Sequence, residues 1–165
     1  MTDHRYYIMK DANLILVVYK GVLTFDNFNV LNEKILEDQN YNPLYKVLID
    51  VRLTIMKLSH NEMKKVFKLI DDNTSTNSNN NVAILTLTPD QTAKSFLILT
   101  LTIPRHIHGM VFTTLNASLK YLGIDINSRL EIVKKIEEIT QEEFNDLDIK
   151  FDCINDKISA SKPNK

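Results

Sequence analysis

The chain is 165 residues long, 44% hydrophobic and 25% charged, enough for one domain with a sizeable core. Twenty basic and twenty-one acidic residues leave a net charge of -1, which argues against a basic patch recruiting nucleic acid. No run approaches the roughly 18 apolar residues of a membrane span, and Met1-Thr2-Asp3-His4-Arg5 has no apolar signal core, so a cytoplasmic location is expected.

Residues 5–10 and 14–20 are β-prone runs separated by Asp11-Ala12-Asn13, which predicts an opening hairpin. Thr24 is the expected N-cap of a helix whose apolar residues Phe25, Phe28, Leu31, Ile35 and Leu36 share one face. That helix should end before Asn42-Pro43. Val47-Leu48-Ile49-Asp50-Val51-Arg52 then reads as a buried central strand closing on a charged pair. Asp50 and Arg52 lie two apart and so share one face near its carboxyl end, where open α/β sheets place ligands. Mutual neutralisation is one reading of the pair, and a partner or anion contact by Arg52 is the other.

Ser59 and Glu62 form a capping box for a second helix carrying Met63, Val66, Phe67 and Ile70. Residues 74–81 are a polar tract expected to be a mobile surface loop. Residues 82–87 read as another buried strand, followed by Thr88-Pro89-Asp90-Gln91, a strong helix start. The segment 96–101 would pass for a strand without that cap. Taken as helix, it puts Ala93, Phe96 and Leu97 on one face and leaves Ile98 and Leu99 pointing away, in need of cover from another element or a second chain. A homodimer through Ile98 and Leu99 is the expectation. Residues 109–112 form a short last strand, and Thr113-Thr114 cap a helix with Leu115, Leu119 and Leu122 that stops at Gly123. Ser128 and Glu131 open a final amphipathic helix with Leu130, Val133, Ile136 and Ile139 inward. The expected organisation is a domain over 1–125, a helical extension over 126–152 and a disordered tail over 153–165.

The order of elements, β-β-α-β-α-β-α-β-α with extra C-terminal helix, means an α/β fold: a mixed, mostly parallel sheet covered by helices. Three stretches carry a family resemblance: Asn42-Pro43-Leu44-Tyr45 leading into the central strand, residues 82–89, and Val111-Phe112-Thr113-Thr114 leading through Leu122-Gly123. On these the chain resembles the STAS group (the sulphate-transporter and anti-anti-sigma-factor domain), and more closely the small SpoIIAA-like bacterial proteins. The resemblance implies a non-catalytic regulatory module that binds a protein partner. An anti-anti-sigma factor of that kind would carry an Asp-Ser-Ser/Thr-Gly-type segment after its central strand, whose serine is phosphorylated. Here Asp50 is followed by Val51-Arg52-Leu53-Thr54, and Thr54 is the nearest hydroxyl.

No motif fixes a reaction, and the enzyme class is not expected. His106 and His108 would share a face of an extended segment but make only half a zinc site, and no metal or cofactor is expected. The lone Cys153 offers neither a disulfide nor a cysteine cluster. The three glycines are too dispersed for a phosphate loop. The partner or ligand candidates are therefore Asp50, Arg52, Thr54, Thr88, Thr113 and Thr114. The alternative function is a small-molecule or lipid-binding carrier, suggested by the apolar 96–101 segment and by a topology similar to lipid-binding CRAL-TRIO domains. It requires an internal cavity.

Overall fold

A computed structural model describes residues 3–73, 81–102 and 108–140. The opening hairpin forms: β1 (Asp3–Met9) runs antiparallel to β2 (Leu14–Leu23), joined by a 3-10 turn that Asn13 closes in the left-handed region. Thr24 caps α1 (Phe25–Glu37) by accepting from the Asn27 N–H. β3 (Lys46–Met56), α2 (His60–Asn73), β4 (Asn81–Leu85), α3 (Pro89–Thr102), β5 (His108–Phe112), α4 (Leu115–Tyr121) and α5 (Ile126–Thr140) come after it in chain order.

The strands lie in the order β1-β2-β3-β4-β5, and every pairing after the hairpin is parallel. The expected mixed sheet is therefore present, with β3 at its centre. Because the sheet grows in one direction from β2 to β5, right-handed crossovers put α1, α2 and α3 on the same face. Val17, Leu31, Val51, Met63, Val66 and Ile98 fill that layer. The two C-terminal helices cover the opposite face, where Leu48 and Leu85 of the sheet meet Leu115 and Leu119 of α4 and Ile132 and Ile136 of α5.

Three expectations change. The central strand runs on to Met56, well past Arg52, because β2 continues beside it to Leu23. The last helix opens at Ile126, where Asp125 accepts from the Asn127 N–H, so Ser128 lies inside it. Its buried residues are Ile132, Ile136 and Ile139, spaced four and three apart, while Leu130 is 74% exposed. Residues 74–80, Arg105, His106 and everything after Thr140, Cys153 included, lie outside the described residues.

Candidate functional site

The central strand carries its polar residues at a β-bulge. Val18 pairs with Asp50 and Lys20 with Leu53, so β3 holds one residue more than β2 over that interval. The extra residue changes the alternation. Val51 and Met56 are five apart yet belong to the same core layer, which an unbroken strand forbids. A bulge also leaves main-chain groups without ladder partners, and side chains supply them here. The Asp50 carboxylate accepts from the Arg52 main-chain N–H at 3.0 Å, and the Thr54 hydroxyl donates to the Val51 carbonyl at 2.7 Å.

Asp50 and Arg52 also pair side chain to side chain. Arg52 Nε and Nη2 reach the two carboxylate oxygens at 3.0 and 2.8 Å, a two-pronged contact, with the residues only 2% and 3% exposed. Thr54 is likewise buried and lies within β3. The segment after the strand is Lys57-Leu58-Ser59-His60, without Asp or Gly. Its hydroxyl, Ser59, caps α2 in the expected box with Glu62.

The Thr88 hydroxyl accepts from the Gln91 N–H and the Thr114 hydroxyl from the Ala117 N–H, so each caps its helix. β4 and β5 end side by side, with Leu85 paired to Phe112, which brings Thr88, Thr113 and Thr114 to one edge of the sheet. Thr88 and Thr113 are exposed there, while Asp50, Arg52 and Thr54 are buried. The six sequence candidates thus divide into a buried polar core of β3 and an exposed rim. Gln91 ties β3 to α3: its amide nitrogen donates to the carbonyls of Arg52 and Thr54 while its oxygen accepts from the N–H groups of Leu87 and Thr88. The capping box signals the second role; the first follows from β3 running past the end of its pairing with β4.

Between the sheet and α1, α2 and α3 lies a cavity of about 190 Å³. Its floor is Ile15, Val17, Val47, Ile49, Val51 and Ile84, and its roof includes Phe28, Ile35, Val66 and Ile98. No charged side chain among the described residues lines it. The polar lining residues are Tyr19, Tyr41, Asn32 and Ser95. Burial pushes the Tyr19 phenol far above its ordinary range and raises that of Tyr41, so both stay neutral. Asn32 Nδ2 and Ser95 Oγ are buried without a hydrogen-bond partner among the described residues.

Ser95 also explains why the α3 face read from sequence is wrong. The buried stripe is Gln91, Ser95, Ile98 and Leu99, spaced four, three and one apart as one helix face requires. Ile98 and Leu99 are covered within the chain, and Phe96 is 66% exposed. Apolarity alone pointed to Phe96, because the true inner face begins with two polar residues. The ground for expecting a dimer through Ile98 and Leu99 is therefore removed.

His108 is exposed at the start of β5, and its carbonyl accepts from the Tyr121 hydroxyl at 2.8 Å. Among the described residues no three metal-ligating side chains gather, and no helix is long and apolar enough to cross a membrane.

No protein-family model and no curated protein matches the chain. Among solved structures, it is similar to an uncharacterised DUF3478-family protein with a SpoIIAA-like fold from Shewanella loihica. The TM-score is 0.50 at 18% identity, over 73% of this chain and 93% of that one. An anti-sigma factor antagonist from Mycobacterium paratuberculosis gives a TM-score of 0.49 at 13% identity, over 74% of this chain and 95% of that one. The chain has a SpoIIAA-like fold.

Proposed function

We propose that this chain is a non-catalytic binding module that holds a small apolar molecule between its sheet and helices α1 to α3, and that occupancy serves a regulatory interaction with a protein partner. The cavity carries this reading. Its lining is almost wholly apolar and carries no charged side chain among the described residues, which suits an apolar occupant. An apolar cavity of about 150 Å³ takes up benzene, whereas drug-sized ligands occupy roughly 300–1,000 Å³. The size therefore favours a single ring or short chain over a membrane lipid. Titrating benzene tests the reading: at a hundred times its dissociation constant a ligand raises stability by about 2.7 kcal/mol. Methyl resonances of Val17, Val66 and Ile98 should shift together. If neither stability nor those methyls respond, the module does not use this cavity.

A second reading, a protein partner seated on the carboxyl rim, is favoured by two exposed apolar residues beside Gln91, Ile55 on β3 and Leu87 after β4. Thr88, Thr113 and Thr114 would form the contact, supported from beneath by Asp50, Arg52 and Thr54. Leu87→Asp and Thr113→Arg should keep the wild-type unfolding temperature and abolish co-purification of the partner. Retained co-purification would remove the rim from consideration.

A further inference from the structure

We infer that the cavity ligand is an uncharged molecule of single-ring size that offers a hydrogen-bond acceptor to the buried hydroxyl of Ser95 in α3. This deepens the cavity-binding reading above and rests on it.

Buried polar side-chain atoms in native proteins are nearly always hydrogen-bonded, so each unpartnered one asks for an explanation. Here two occur on different helices of the same layer, and both belong to residues lining the same cavity. Ser95 is 1% exposed, so bulk water does not serve its hydroxyl. An alanine at that position would fill the same helix turn at no polar cost. Asn32 sits beside Leu31 on a helix whose inner residues are otherwise the apolar Phe25, Phe28, Leu31, Ile35 and Leu36.

The two atoms define the missing group. An amide nitrogen only donates, and a hydroxyl donates or accepts, so a carbonyl or hydroxyl oxygen is a group that either of them can bond. A carboxylate or ammonium does not fit, because no charged residue among those described lines the cavity to compensate it. Tyr19 and Tyr41 add neutral aromatic surface, which suits a ring.

Phenol, benzene and benzoate are matched probes, titrated against the full chain by calorimetry and followed by methyl NMR. Phenol should bind about tenfold more tightly than benzene, the worth of one to two net hydrogen bonds. Benzoate should not saturate. Ser95→Ala should remove most of the phenol preference while benzene still binds. Ser95→Ala deletes an unpaired hydroxyl and should fold at least as stably as the parent, so a lost preference cannot be put down to a lost fold. Equal affinities for phenol and benzene, a phenol preference intact in Ser95→Ala, or benzoate binding as tightly as phenol would overturn the ligand class and leave the cavity reading standing. Failure of all three probes to bind would overturn the cavity reading itself, and this inference with it.

Discussion

The Gln91 side-chain amide donates to the main-chain carbonyl of Arg52 at 3.2 Å, across 39 positions of sequence. The same nitrogen reaches the Thr54 carbonyl at 2.9 Å, on a stretch of β3 that extends beyond its pairing with β4. One side chain thus completes the free edge of the central strand and the first turn of α3. Gln91→Met keeps the length and removes both functions, leaving buried carbonyls unpaired. A loss of about 2–4 kcal/mol in urea unfolding is expected. A loss under about 0.5 kcal/mol would mean that water replaces the amide at little cost.

The Asp50–Arg52 pair sits buried at the bulge in the β2–β3 pairing, and its burial decides how its mutants should behave. Arg52→Met leaves a buried carboxylate without its cation and should cost about 3–5 kcal/mol, and Asp50→Leu about as much. The double variant should recover a large part of either loss, because two apolar side chains then replace two charges. A double-mutant cycle by chemical denaturation measures this. If Arg52→Met instead folds normally but loses the protein partner, the pair belongs to the contact surface.

These relationships mark the limit of what the sequence discloses. Caps are local, so Thr24, Ser59 with Glu62, Thr88 with Gln91, and Thr114 were all legible, and with them the element order and the fold. The bulge was not, because it is set by the pairing of Lys20 with Leu53 and not by residues near Arg52 alone. Without it, Thr54 looked like a residue after the strand. The inner face of α3 was misread for a related reason. Apolar periodicity assumes that buried means apolar, yet Gln91 and Ser95 are both polar and buried, one bonded to β3 and one lining a cavity that only the packed layer creates.

His4 makes stability depend on pH near neutrality. Its ring lies edge-on to Tyr19 at a centroid distance of 5.1 Å, and burial lowers its pKa below the ordinary 6.5, against weaker upward pulls from Asp3 and Val22. The unfolded chain therefore binds the proton more readily than the folded one. The stability this contributes is fully present above pH 6.5 and is lost as pH falls from there through the lowered folded value. His4→Phe should flatten that part of the profile. Asp38, whose carboxyl is held down by the Asn40 N–H and the Tyr6 hydroxyl, acts separately, below its ordinary value of 3.8. Urea midpoints at pH 7.5 and pH 5.5 compare the variant with the parent, and equal slopes would exonerate His4.

At Gly109 β5 lies against Leu99 of α3, which offers a way to close the cavity from outside. A Cβ built there would overlap the Leu99 Cδ2 atom and stand 3.1 Å from its Cγ. Gly109 is not among the glycines with positive φ, so alanine meets no backbone strain and the conflict is with the Leu99 side chain alone. Leu99 lines the cavity, and a flexible side chain pushed by a neighbour moves toward the nearest empty space. Gly109→Ala should therefore drive Leu99 inward. Overpacking typically costs about 1–3 kcal/mol, and the void should keep this change near the lower end. Benzene affinity should fall with it, because the ligand now competes with the displaced isobutyl group. Adding Leu99→Ala removes the overlap, so the double variant should be more stable than the sum of the two single losses predicts. Unchanged benzene affinity in Gly109→Ala would mean that Leu99 turns away from the cavity.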